Sequence, residues 1–285
     1  MIRHHLIVIL RNFGKHRTSF IINLLGLTTG LTCAILIALW AADEYHIDKF
    51  HALDERLYTV LAHNKLDGKV ETSASTQAIL GDALQTEIPE VEKASTSLFG
   101  NVDLTVSNGP KHVMNKAALV DGNFLKIFSY DLLAGDKNAL SDKNNIVLSE
   151  SAAIALFGDA KNAVGQLVAW EFPYGKKEAM VSAVMRDIPR QSSFNAQILL
   201  SFEVFKDIVG PQDLHWGNFG CRTDLLLKPN ANAEEVSSKI KDFVKSKSPD
   251  SGVTLELVPY SSYYLHNEYV NGHAAGGRIE YVWLF

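Results

Sequence analysis

Cysteine is nearly absent: Cys33 and Cys221 are the only two in 285 residues. That excludes a disulfide-stapled small domain and a cysteine-based zinc cluster. Eight prolines and 19 glycines are too few for a collagen-like or proline-rich chain. The formal net charge is only −5, which gives no reason to expect nucleic-acid binding. Signatures of chemistry are missing as well. There is no phosphate-cradling loop, since Gly14-Lys15-His16 lacks both the upstream glycine and the hydroxyl, and there is no HExxH or GxSxG. His46 and His51 lie five apart, a poor match to one helix face, and read as solvated positions rather than metal ligands. The expectation is a chain with no catalytic residue, no cofactor and no metal site, and not an enzyme by itself.

What the sequence does contain is an uneven distribution of charge. Met1 to Arg17 holds Arg3, Arg11, Lys15 and Arg17 and no acid, whereas the remaining 23 basic and 32 acidic residues follow from Asp43 onward. Between them runs TSFIINLLGLTTGLTCAILIALWAA, residues 18–42, with no ionisable side chain. A bilayer core about 30 Å thick needs roughly 20 apolar residues in a helix, so this stretch is long enough to span. A signal peptide is the competing reading, but its apolar core runs about 7–15 residues and ends at a small-x-small site. Leu39-Trp40-Ala41-Ala42-Asp43 offers no such site, so an uncleaved transmembrane helix is expected. Basic residues stay on the cytoplasmic side, which places residues 1–17 inside and the bulk of the chain outside. Ile2, Leu6, Ile9, Leu10 and Phe13 recur at helical spacing opposite the basic residues, the pattern of an amphipathic leader on the inner surface. Within the span, Gly26 and Gly30 form a GxxxG step, extended by Ala34 and Ala38, a candidate face for helix packing.

Beyond the span, helical character continues from Asp43 to Arg56, with no Gly or Pro between Leu31 and Leu66. Strands are predicted at Leu57–Leu61, Val91–Leu98, Val102–Val106, His112–Val120, Ile146–Leu148, Leu167–Phe172, Ala179–Arg186, Ile198–Phe202, Asp224–Leu227 and Thr254–Val258. Helices are predicted from Ser75 to Ile88, stopped by Pro89; from a Ser149 cap to Phe157, closed by Gly158; and from Asn232 to Lys245. Strands and helices mix without regular alternation, so the fold class is α+β. Residues 279–285 (IEYVWLF) read as the start of a second membrane helix.

Lined up, these pieces carry a resemblance. Phe20-Ile21-Ile22-Asn23-Leu24-Leu25-Gly26-Leu27, Asp48-Lys49-Phe50-His51 and Arg56-Leu57-Tyr58-Thr59-Val60 come first. Val120-Asp121-Gly122-Asn123-Phe124-Leu125, Ile146-Val147-Leu148-Ser149-Glu150, Val184-Met185-Arg186-Asp187-Ile188-Pro189 and Leu227-Lys228-Pro229-Asn230 follow in order. Together they resemble the first part of macrolide-exporter-type (MacB/FtsX-like) ABC permeases over essentially the whole chain. The resemblance implies a transmembrane helix (18–42), then a two-lobed mixed α/β periplasmic core domain (43–278) with a stalk at 43–56 and an inserted, mostly β lobe at roughly 120–222. It implies a mechanotransmission device in the inner membrane that works as a dimer, with a second copy or a homologue, in contact with the lipid bilayer and with periplasmic or outer-membrane partners. Only 17 residues precede the span, so the ATPase is expected on a separate cytoplasmic chain. Asp48, Phe50, His51, Arg56 and Tyr58 are the expected coupling-stalk residues, with Phe50 and Tyr58 as packing anchors. Lys49 replaces the arginine common at its place in the family, which weakens the expectation of a fixed ion pair there. The expected task is efflux or the export of envelope lipids or lipoproteins. The alternative is a single-pass anchored binding or scaffold module without an ATPase.

Overall fold

The computed structural model describes residues 17–66, 68–172 and 175–284, so the expected leader over residues 1–16 lies outside them, as does Phe285. The chain forms two compact units, one holding the N-terminal helix and the residues after Ile279, the other His46–Ile279.

The first unit is dominated by α1, Arg17–Tyr45, whose 29 residues give a length of about 44 Å. None of its residues is buried within the chain. A helix with no ionisable side chain over residues 18–42 and no buried residue is suited to lipid, and α1 alone among the described residues is long and apolar enough to cross a membrane. Nothing lies within 4 Å of where a Cβ would stand at Gly26 or Gly30.

The second unit begins with a departure from expectation. Helix was predicted through Arg56, but α1 ends at Tyr45, residues 46–50 form turns, and only Asp54–Arg56 returns as a single 3₁₀ turn. Asp48 sits at φ 62°, a left-handed conformation that Asp tolerates and that a helix does not. Its N–H bonds to Gln191 O at 2.7 Å instead of a carbonyl one helical turn back. The stalk is therefore not a continuous helix.

β1 (Leu57–Leu66) and β2 (Lys69–Ser73) form a hairpin, and the short β3 (Thr76–Gln77) pairs with a later strand. The helix predicted over Ser75–Ile88 is shortened to α2, Leu80–Glu87. Thr76 is drawn into the sheet, where its hydroxyl meets Thr223 Oγ1 at 2.8 Å. Next come β4 (Val91–Leu98), β5 (Val102–Asn108), β6 (Lys111–Val120), α3 (Phe124–Ile127), β7 (Leu132–Ala134) and β8 (Asn145–Ser149). α4 (Glu150–Phe157) is capped as expected, by Ser149 accepting from Ala152 N and by Gly158 at φ 83°. β9 (Leu167–Phe172), β10 (Gly175–Met185), β11 (Ile198–Ser201), α5 (Phe202–Val209) and β12 (Phe219–Leu227) follow. The helix predicted over Asn232–Lys245 is split into α6 (Ala233–Ile240) and α7 (Phe243–Lys247). Lys241 O is diverted between them to Leu255 N, on β13 (Val253–Pro259). α8 (Tyr260–Tyr263), the hairpin β14 (Glu268–Val270) and β15 (His273–Gly276), and α9 (Arg278–Leu284) complete the chain.

The strands make two different structures. β4-β12-β1-β13 is an open antiparallel sheet. One face is covered by α2, α6 and α7, which bury Leu80, Leu84, Val236, Ile240 and Val244 against Val60, Leu225 and Leu255. By contrast, β5-β6-β11-β8-β10-β9 closes on itself, because β11 pairs with both β6 and β8 and β9 pairs with β5. The result is a small barrel with parallel pairs at β6–β11 and β8–β10. Period-2 alternation decides which side chains fill it: Leu119, Ile146, Leu148, Ile198 and Leu200 point in with Leu104, Val168 and Trp170. Ala118, Val120, Val147 and Leu199 point out, under a second layer of Phe124, Leu125, Phe128 and Tyr130. The barrel runs from Val102, earlier than the boundary near 120 that the resemblance implied, because β5 and all of β6 belong to it. Sheet and barrel meet along a narrow seam, where β4 and β6 share one registered pair, Ser97 with Val120.

One glycine holds the outer layer close. Gly135 has φ 86°, and a Cβ there would stand 2.5 Å from both Ala183 Cβ and Ser182 O. Gly135→Ala is expected to destabilise the unit by about 2 kcal/mol, from left-handed strain plus the clash, measured by urea unfolding. An unchanged midpoint would mean that β7 relaxes away from β10 at no cost.

Candidate functional site

The chain that follows α1 is fastened to the barrel's outer layer by a compact set of buried polar bonds. Asp48 is 1% exposed. Its N–H reaches Gln191 O, and its Oδ1 accepts from Ser193 N at 2.8 Å, so one residue grips the β10–β11 connection twice. Burial raises the Asp48 carboxyl above the usual range, while the Ser193 bonds and the positive charge of Arg222 act against that rise.

His51, read from its spacing as a solvated position, is instead buried and makes the second fastening. Its Nδ1 accepts from Ser129 N at 3.1 Å, and Ala52 N donates to Ser129 Oγ at 2.9 Å. With Nδ1 accepting, the neutral ring carries its proton on Nε2. The imidazole is enclosed by the rings of Phe50, Phe128, Tyr130 and Tyr260 at centroid distances of 4.2, 5.2, 5.4 and 5.5 Å. Burial in that box lowers its pKa to about 4, so it is uncharged at neutral pH. Tyr130 OH meets Ser192 Oγ at 3.2 Å, joining the two fastened segments to each other.

Tyr260 connects this box to a third group on the open sheet. The Arg222 guanidinium stands over the Tyr260 ring at 4.9 Å and over Tyr263 at 5.6 Å. Its Nε donates to both oxygens of Asp224 at 3.0 and 3.1 Å, and its Nη2 donates to Thr59 Oγ1 at 2.8 Å. The Thr59 hydroxyl donates on to Asp224 Oδ1 at 2.7 Å. Burial alone pushes the Asp224 carboxyl up, and Arg222 and Thr59 pull it back. Most of these polar atoms are spent on one another and on backbone, an arrangement that resists sliding between segments because each bond is directional.

A third carboxylate, half-buried, clasps the seam itself. Asp121 accepts from Ser95 Oγ at 2.9 Å, Thr96 N at 2.8 Å, Asn123 N at 3.0 Å and Phe124 N at 3.1 Å, tying β4 to the start of α3. Burial raises its pKa to about 6 despite those donors, with Asp82 adding in the same direction.

Of the expected stalk residues, Asp48, Phe50 and His51 are brought together. Arg56 is not among them: it pairs with Glu92 at 2.7 Å and donates to Leu227 O at 3.0 Å at the edge of the open sheet. Tyr58 is half-buried against the open-sheet core, its hydroxyl 3.5 Å from Glu55 O. Thr59, Ser193, Arg222, Asp224, Tyr130 and Tyr260 were not singled out from sequence. The signal available for two of them is the i, i+2 spacing of Arg222 and Asp224, which puts both on one face of a strand leading into Leu225-Leu226-Leu227.

Comparison with known proteins locates this architecture. The family model for the MacB-like periplasmic core domain matches residues 20–243. The fold is similar to a solved domain of a protein described as a permease, from Porphyromonas gingivalis, with a TM-score of 0.60 and 23% identity over 74% of this chain and 93% of that one. It is also similar to the extracellular domain of the noncanonic ABC-type transporter YknZ from Gram-positive bacteria, with a TM-score of 0.51 and 12% identity over 71% of this chain and 99% of that one. No curated protein matches the sequence.

Proposed function

Because the chain belongs to the family of MacB-like periplasmic core domains, we propose that it is the membrane-anchored part of an ABC permease of the mechanotransmission type. In this reading residues 1–17 lie in the cytoplasm, α1 spans the inner membrane, and His46–Ile279 works in the periplasm. ATP binding and hydrolysis by a separate cytoplasmic ATPase move the helices, and the domain converts that movement into efflux or into export of envelope lipid or lipoprotein. A second copy or homologue packs on the face of α1 where Gly26 and Gly30 leave the backbone open to close approach. α9, from Arg278 to Leu284, is the start of a second span.

The observation that carries this reading is the double grip of Asp48 on Gln191 and Ser193. Three residues past the end of α1, the backbone is tied to the barrel and not only to the strand that follows it in sequence. A displacement entering at His46 therefore reaches the barrel through buried bonds rather than through a flexible tether.

Lengthening the connection upstream of that grip tests it. Two glycines inserted between Tyr45 and His46 fall where the helix already ends, so they add slack at little cost in stability. In the full-length permease expressed with its ATPase, the insertion is expected to leave expression and basal ATP hydrolysis intact and to abolish the transport phenotype. Undiminished transport would reduce the segment to a tether and favour an anchored binding module without an ATPase.

A further inference from the structure

We propose that the cleft beside Arg222 is a binding site for a small ring-bearing carboxylate. Its volume is about 160 Å³, and it opens next to the seam between sheet and barrel. Ser97 on β4 and Arg222 on β12 belong to the open sheet; Phe124 and Phe128 come from α3 and its end, Phe194 from the β10–β11 connection, and Tyr260 from α8. A cavity of about 150 Å³ with apolar walls is large enough for a benzene-sized guest. The walls suit one, since Phe124 lies 4.7 Å from Phe128 and 5.0 Å from Phe194, ring centroid to centroid.

The polar end of the cleft sets the charge of the guest. Arg222 uses Nε on Asp224 and Nη2 on Thr59, and its Nη1 has no acceptor among the described residues. A guanidinium carries five donors in a planar fork that matches a carboxylate. Asp224 also lines the cleft, but Arg222 Nε bonds both of its oxygens and the Thr59 hydroxyl bonds Oδ1, so its charge is answered within the site. An ammonium would lie against the guanidinium, and a neutral ring would leave Nη1 unanswered. A buried ion pair is seldom more stabilising than apolar residues of the same volume, so its presence beside an aromatic cleft fits a recognition role. Because the lining comes from both sheet and barrel, an occupant favours whichever arrangement of the two fits it better.

The test is calorimetric titration of the full chain in detergent micelles with benzoate, benzylamine and benzyl alcohol. Saturable benzoate binding is expected, with the amine and the alcohol at least about tenfold weaker. Ser97→Leu, directly across the β4–β12 pair from Arg222, fills the cleft while keeping the guanidinium and is expected to weaken benzoate by at least about tenfold. The double variant Arg222→Met/Asp224→Leu removes the guanidinium without stranding a buried carboxylate and is expected to abolish the preference for benzoate over benzyl alcohol. Equal binding of all three compounds, which is micelle partition, would overturn the proposal. So would benzoate binding that neither variant changes, or no saturable binding up to about 10 mM.

Discussion

Replacing Arg222 alone by methionine is expected to lower the unfolding free energy of the core unit by about 3–5 kcal/mol. Asp224 is 4% exposed, and Arg222 is its only charged hydrogen-bond partner among the described residues. Without the guanidinium, the carboxylate keeps one hydroxyl donor, Thr59, and meets water only through the narrow cleft it lines. Its choices are then to remain charged in a medium of low dielectric or to take up a proton well above its ordinary pKa, and both oppose folding. The loss is large against a whole-domain stability of about 5–15 kcal/mol. Restoring neutrality with the double variant Arg222→Met/Asp224→Leu is expected to recover most of it, since a well-packed apolar pair replaces a buried ionic one at little net cost. Urea unfolding of the wild type, Arg222→Met and the double variant makes the comparison. Equal losses in the single and double variants would mean that the guanidinium acts through its stacking on Tyr260 and Tyr263, and that the Asp224 carboxylate is not stranded.

The elements set by local pattern and local caps were legible in the sequence. β4 and β9 were read to the residue, and α4 was read with both of its caps, because Ser149 and Gly158 act locally. The misreadings share a cause: in each, a distant partner takes a backbone group that a helix would have used. Asp48 N goes to Gln191, Lys241 O goes to Leu255, and Thr76 enters the sheet beside Cys221. None of those partners lies within a helical turn, so no periodicity reports them. Barrel closure was equally hidden. It depends on the parallel pairing of Ile198–Ser201 with Ala117–Val120, two apolar runs separated by about a third of the domain. The candidate site was half legible for the same reason. Asp48, Phe50 and His51 form one local motif, whereas Ser193, Arg222 and Tyr260 are assembled from three other parts of the chain.

Two groups of opposite character predict an acid response that substitution should uncover. His51 titrates at 6.5 when unfolded and at about 4 in the fold. Its neutral form therefore contributes stability that is fully present above pH 6.5 and is lost as the pH falls toward 4, about 3 kcal/mol over that interval. Asp121 behaves in the reverse way, with 3.8 for the unfolded chain and about 6 in the fold. Its contribution is fully present below pH 3.8 and is lost as the pH rises through 6, again about 3 kcal/mol. Asp48 and Asp224 are raised by burial too and act in the same sense as Asp121. On acidification from pH 7 to 4 the two opposing trends offset each other, and the wild-type core is expected to hold its stability or gain slightly. Asp121→Asn removes one side of the balance. Whatever that variant loses at neutral pH from its altered hydrogen bonds, its stability is expected to fall by about 3 kcal/mol more than the wild type's as the pH drops to 4. His51→Gln keeps an acceptor for Ser129 N and removes the other side, so its stability is expected to rise relative to wild type over the same range. The slope against pH, taken from urea titrations at intervals between pH 4 and 7, is the readout that separates titration from mere damage. Three parallel profiles would show that neither group titrates differently in the fold, and that the junction around Asp48 and His51 is open to water.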